Sequence, residues 1–240
     1  MRSQTIEFAD RKTLCIFPDA RLQLPQALTE LNLETGYPVI VLIGGAIEDR
    51  EALATDRAIH TIAKLAHEMK IMVICGGTDM GVMAEIGQVR SQNRYTFPLV
   101  GITLEDLVTW PGGPESKKFL WWGKERWQLE PHYPYFILVP GSQFGDESPW
   151  IMEAATVFSQ GFQSITVLIN GGEISRKDVQ LSLEEGRPVV ALSRTGRLAD
   201  EISRDLDRNG LISVVSANAE ERITEVIYKL LNIDPAHVRA

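Results

Sequence analysis

The chain has 240 residues, 44% hydrophobic and 23% charged, with a net charge of −8 and a pI of about 5.1. That is enough apolar material for one large α/β domain or two small ones. The acidic balance excludes nucleic acid and anionic membrane as the main partner, because a phosphate surface demands a basic face.

The N-terminal "MRSQTIEFADRK" has no apolar signal core. The longest apolar stretch, "VIVLIGGA" from Val39, is too short to span a bilayer. A cytoplasmic location is expected. The two cysteines, Cys15 and Cys75, have no metal spacing, and Cys75 reads as a buried thiol at a strand end. His60 and His67 lie ~10 Å apart by helix rise, too far to share one metal. No metal site and no cofactor are expected.

In chain order, residues 1–38 form a preamble with strand-like "TIEF" and "TLCIF" and a short helix in "LPQALTELNL", expected to pack on a sheet edge. Short Val/Ile-rich runs then follow at Val39–Ile43, Ile71–Cys75, Pro98–Thr103, Tyr135–Val139, Ile165–Ile169, Pro188–Leu192 and Leu211–Val215. Their continuous apolar character marks strands buried on both faces. Helical periodicity lies between them, as in Ile59, Ile62, Ala63, Ala66 and Met69, and closes the chain with Ile223, Val226, Ile227, Leu230 and Leu231. Alternation of this kind predicts a Rossmann-like, doubly wound α/β fold, with a mainly parallel sheet of about seven strands in one domain over 1–240. Residues 104–134 are long for a connection and hold Trp110, Trp121, Trp122 and Trp127, four of the five tryptophans. These rings either pack the insertion onto the domain or serve as a lid or dimer contact.

In such a sheet, ligands sit beyond the carboxyl ends of the strands. Five glycine-bearing loops fall there: Gly44–Gly45–Ala46, "GGTDMG" (76–81), "PGSQFGDESPW" (140–150), "NGGE" (170–173) and "SRTGR" (193–197). Gly76 and Gly81 have the spacing of a Walker loop, but Val82 and Met83 replace its lysine and hydroxyl. Without them, P-loop ATP hydrolysis is excluded. Two readings fit what is left. Backbone amides of Gly76, Gly77, Thr78, Asp79, Gly81 and Val82 hold a phosphate at a helix N-terminus, or Thr78 or Asp79 simply caps that helix. Arg197, after Gly196, either reaches a phosphate bidentately or is a solvated surface arginine. Phe144 is a candidate to stack on a base, and Asp146 and Glu147 to accept ribose hydroxyls; both acids are equally at home in a helix's first turn.

"PVIVLIGGA", "VICGGTDMGVMAEIGQ", "LEPHYPYFILVPG", "VLINGG" and "GRLAD" occur in the order and spacing of the LSDAT domains of the SLOG superfamily, which the chain resembles from about Thr5 to its last helix. The cytosolic N-terminal region of melastatin-type TRP channels is of this kind. The resemblance implies a Rossmann-like domain that binds a nucleotide derivative, ADP-ribose or a cyclic relative, as a sensor or signalling module, and it leaves a homo-oligomer open. It implies a ligand site built from Gly44, Gly45, Ala46, the 76–82 turn, Gly141, Ser142, Phe144, Gly145, Glu147, Gly171, Gly196 and Arg197. Trp150 and Ile151 stand where the channel members carry an arginine, which makes Trp150 an alternative stacking residue. A sister group of LOG-like nucleotide hydrolases carries PGGxGTxxE, which "PGSQFGDESPW" matches loosely. In that alternative, Glu147 or Glu153 polarises a water beside an N-glycosidic bond.

Overall fold

The computed structural model describes residues 1–47, 52–114, 126–204 and 210–234. Strands β1 (Arg2–Glu7) and β2 (Lys12–Phe17) and helix α1 (Leu24–Glu30) come first. The alternating part follows as β3 (Val39–Gly44), α2 (Ala52–Glu68), β4 (Met72–Cys75), α3 (Gly81–Gln92) and β5 (Leu99–Leu104). A two-stranded ribbon, β6 (Val108–Thr109) with β7 (Trp127–Gln128), marks the two ends of the insertion. Then come β8 (Tyr135–Val139), α4 (Ser148–Ser159), β9 (Ser164–Ile169), α5 (Glu173–Glu184), β10 (Val189–Ser193), α6 (Arg197–Arg204), β11 (Ile212–Ser216) and α7 (Glu220–Leu231).

The main sheet among the described residues has nine strands in the order β1-β2-β8-β5-β4-β3-β9-β10-β11. The expected seven are all present. The preamble adds two more, because β2 pairs in parallel with β8 (Cys15 with Phe136, Ile16 with Ile137) and β1 closes the edge antiparallel to β2. Expected to pack on the edge, the preamble instead extends the hydrogen-bonded ladder.

The central strands are apolar on both faces because helices cover both. Along β3, Ile40 and Leu42 belong to the core under α2, α3 and α7, where Ile59, Ile62, Ile86, Ile223 and Ile227 are buried. Val39, Val41 and Ile43 belong to the opposite core under α1, α4 and α5, with Leu24, Ile151, Phe158 and Val179. Full burial of each such side chain contributes about 1.5–3 kcal/mol. No helix among the described residues is long and apolar enough to cross a membrane.

Chain direction across the sheet places the site. From β3 the chain winds outward through β4 and β5 to β8, then returns through α4 to β9 on the other side of β3. The reversal therefore falls between β3 and β9, and a doubly wound sheet opens a crevice at the carboxyl end of such a pair.

Candidate functional site

A cavity of about 260 Å³ opens at that point, at the small end of the range for small-molecule sites. Its floor is apolar: Leu42 and Ile43 from β3, Met80 and Met83 around the start of α3, and Ile151 from α4. Phe144 and Ile174 add to it, and half-exposed Trp127 sits at the edge. The polar lining is Thr78, Thr103, Glu147, Ser175 and Asp178, and the glycine edge is Gly44, Gly45 and Ala46.

Three loops are tied together at the rim. The Asn170 Nδ2 donates to the Ala46 carbonyl (3.1 Å), and the Asn170 amide donates to the Thr195 hydroxyl (2.8 Å). Leu198 and Ala199, at the start of α6, donate their amides to the carbonyls of Gly171 and Asn170. This lattice aims Arg197 across the rim. A methyl group placed on Gly172 would lie 2.5 Å from its Nη2, and one on Gly45 3.1 Å from its Nη1. Glycine at both positions is what lets the guanidinium lie against the backbone. Arg197 is exposed, and among the described residues it has no hydrogen-bond or ion-pair partner.

The positive ends of several helices converge here, and the backbone decides which remain open to an anion. At α3 the expected nest is partly occupied. The Asp79 amide donates to the Gln128 carbonyl (2.8 Å), that of Met80 to Thr78 (2.8 Å) and that of Val82 to Gly45 (3.4 Å). Neither Thr78 nor Asp79 caps the helix: the N-cap is Met80, with no side-chain cap bond. At α5 the N-cap is Gly172, again uncapped by any side chain, and Ile174 and Ser175 of its first turn line the cavity. Among the described residues the α5 N-terminus beside Arg197 is thus left more open than that of α3, whose amides meet the return leg of the insertion. That leg is stitched to the glycine turn by a bridge between Thr78 and Leu129.

Two carboxyls stand inside the cavity. Glu147 is the α4 N-cap, and one of its oxygens accepts the Gly145 amide (2.8 Å). Burial pushes its carboxyl up to about 7; the Gly145 amide pulls the other way, while Asp178 and Asp146 add to the rise. Burial likewise pushes Asp178 up to about 6, against the Ser148 hydroxyl and the Lys177 ammonium. Both groups hold a proton more tightly folded than unfolded. Their contribution to stability is complete below the unfolded values, 4.5 and 3.8, and is lost as pH rises through about 6 to 7. Glu147→Gln, fixed in the neutral form, is therefore expected to match the wild type in urea titrations near pH ~4.5 and to exceed it near pH ~8. A gap that does not widen with pH counts against the burial described.

Of the expected site residues, Gly44, Gly45, Ala46, Gly76, Thr78, Phe144 and Glu147 line the cavity. Arg197 and Gly171 sit at its rim. Gly77 packs against Gly101 and the Phe136 ring, and Gly81 against the Gly45 carbonyl, so both shape the loops from behind. Val82 is fully buried and presses on Gly44, and Asp79 is exposed outside the lining. Gly141 packs on Leu104 and Asp146, and the Ser142 amide donates to Asp146, whose carboxylate these backbone bonds hold below its ordinary value. Gly145 serves through its amide on Glu147, and Gly196 lies buried in the turn before Arg197.

Two expectations are corrected. Trp150 is buried in the core under α4 and cannot stack on a ligand. Glu153 turns away and pairs with Arg21 (3.0 Å). The tryptophans of the insertion divide: Trp110 packs on Phe17 with ring centroids 6.0 Å apart, Trp127 lines the cavity, and Trp121 and Trp122 lie outside the described residues. The Cys75 thiol is buried and bonded to the Tyr133 hydroxyl (2.8 Å), away from the lining.

Sequence reasoning missed Ile174, Ser175 and Asp178. Their signal was the i, i+1, i+4 spacing, which turns all three to one face at the start of α5. Among the described residues, no three His, Cys, Asp or Glu side chains cluster as a metal site would.

The model of the prokaryotic family described as "SLOG in TRPM" matches residues 37–230. The chain belongs to this LSDAT family. No curated protein matches the sequence. Solved structures similar to this LSDAT chain include one from a structural-genomics programme, at 19% identity and a TM-score of 0.56, covering 80% of this chain and 99% of that one. A molybdenum cofactor carrier protein from Chlamydomonas reinhardtii has 20% identity and a TM-score of 0.54, with 82% and 99% of the two chains covered. A molybdenum cofactor binding protein from Rippkaea orientalis has 14% identity and a TM-score of 0.53, with 82% and 97% covered. At these identities the likeness concerns the fold.

Proposed function

We propose that this LSDAT domain binds a nucleotide-derived small molecule as a sensor or signalling module. The ring enters the apolar cavity, and the phosphates lie outside it over Gly45, the α5 N-terminus and Arg197. The observation that carries this reading is the guanidinium of Arg197, unpaired among the described residues and laid against two glycines beside an uncapped helix start and a ring-sized apolar cavity. Amides and a guanidinium supply the positive charge, so binding of this kind needs neither metal nor cofactor. ADP-ribose and its cyclic relative are the ligands that the family implies. The molybdenum cofactor, named in two structural neighbours, joins the test panel. Such a ligand fits a cytoplasmic protein, and a homo-oligomer is compatible with the site.

A thermal-shift panel of ADP-ribose, cyclic ADP-ribose, NAD, ADP, GDP and the molybdenum cofactor tests this. A ligand at about 100 times its Kd adds about 2.7 kcal/mol, which moves the melt of a domain this size by several degrees. If every member of the panel leaves the melting temperature unchanged, the proposal is overturned.

A second reading, hydrolysis of an N-glycosidic bond, is favoured by one feature: Glu147 lines the cavity with its carboxyl pushed up to about 7, where it still carries a proton to give near neutral pH. Release of free base from a bound nucleotide, abolished in Glu147→Gln, is the expected result; intact nucleotide after prolonged incubation rejects it.

A further inference from the structure

Asp178 on α5 is 6% exposed, lines the cavity, and its Oδ1 has no hydrogen-bond partner. The buried hydroxyl of Ser148 lies beside it and steadies the charged carboxyl, but no hydrogen bond of ordinary geometry joins the two. Glu147 lines the same cavity, its carboxyl already accepting backbone amides, that of Gly145 at 2.8 Å. The charged groups nearby are committed elsewhere. Lys177 donates its Nζ to the Gly145 carbonyl (2.6 Å), and Asp146 accepts the amides of Ser142 and Gln143. A buried acceptor left without a donor is costly, and buried polar groups are rarely left so. This wall is complete only when something in the cavity donates to it.

The apolar floor beside it fits the face of a planar ring, whose edge would then supply the donor. Carboxylates offer pairs of acceptors, and their best planar partner presents adjacent N–H groups. Guanine does so through N1–H and its 2-amino group. Adenine sets its single amino group beside a ring acceptor, which would face a carboxylate with like polarity. Resting on the nucleotide reading above, we infer that the Asp178 carboxylate selects a guanine base in this cavity over adenine.

Isothermal titration of the full chain with GDP, IDP and ADP tests this, since all three carry the same diphosphate. IDP keeps N1–H and lacks the 2-amino group; ADP lacks the edge altogether. GDP is expected to bind at least about tenfold more tightly than either, the discrimination one bidentate pair supplies. Asp178→Asn is expected to shrink that preference to within about threefold. Comparable affinity for the three nucleotides, or preference for ADP, overturns guanine selection and leaves nucleotide binding intact. Failure of all three to bind overturns this inference, while the parent reading is decided by the thermal-shift panel with ADP-ribose and its relatives.

Discussion

Gly81→Ala is expected to lower the melting temperature by roughly 4–16 °C, the largest effect of any single methyl group added at the site. Gly81 holds φ +50, and a Cβ there would lie 2.1 Å from the Gly45 carbonyl oxygen and 2.8 Å from its carbon. These are backbone atoms and cannot rotate away. The left-handed conformation costs alanine about 1 kcal/mol, and forcing the two loops apart costs about 1–3 kcal/mol more. Movement of the 44–46 loop also takes Gly45 from beneath the Arg197 guanidinium and lengthens the Val82-to-Gly45 hydrogen bond, 3.4 Å in the native chain. Ligand affinity should fall with stability. Gly186→Ala is the control: Gly186 has φ +70 but nothing within 4 Å of an added Cβ, so only the conformational cost applies. Differential scanning calorimetry that finds the two variants melting together refutes the contact between the loops.

Arg197→Ala is expected to weaken a diphosphate-bearing ligand by about tenfold to a hundredfold. A hydrogen bond to a charged group is worth about 1.5–3 kcal/mol, and each 1.4 kcal/mol is a factor of about ten in affinity. Loss should be confined to the phosphates, so the corresponding free nucleoside binds wild type and variant alike. Arg197→Lys should recover only part of the loss, because an ammonium cannot make the two parallel bonds of a guanidinium. The wild-type advantage should also shrink as salt is raised, since the group is exposed. Titration calorimetry with ADP-ribose or GDP reads all three effects. Undiminished affinity in Arg197→Ala removes the residue from the site and leaves the α5 N-terminus as the remaining source of positive charge.

Much of the architecture was legible because its signals are local. A run such as Val39–Ile43 is buried on both faces wherever it lies in a parallel sheet, and Gly44–Gly45 can only end it. Alternation of strand and helix then forces the carboxyl ends to one edge, so the five glycine loops could be grouped before their contacts were known. What was not legible depends on pairing between distant segments. Nothing in "TLCIF" announces that it hydrogen-bonds to Tyr135–Ile137. Nothing in "GGTDMG" announces that Gln128 takes the Asp79 amide and shifts the open helix start to α5.

Aromatic and acidic residues show the same division. The family resemblance made Trp150 a stacking candidate and left Trp127 among the rings of the insertion; packing buried the first under α4 and left the second at the cavity. Asp178 read as an ordinary helical acid until α5 turned it inward beside Glu147. Sequence alone determined the fold class, the sheet edge at which the cavity opens and the absence of a P-loop, because periodicity, glycine turns and a missing lysine are properties of neighbouring residues. The tertiary structure decided which amides, which tryptophan and which carboxyls face the cavity, because burial and hydrogen-bond partnership are set by residues far apart in the chain.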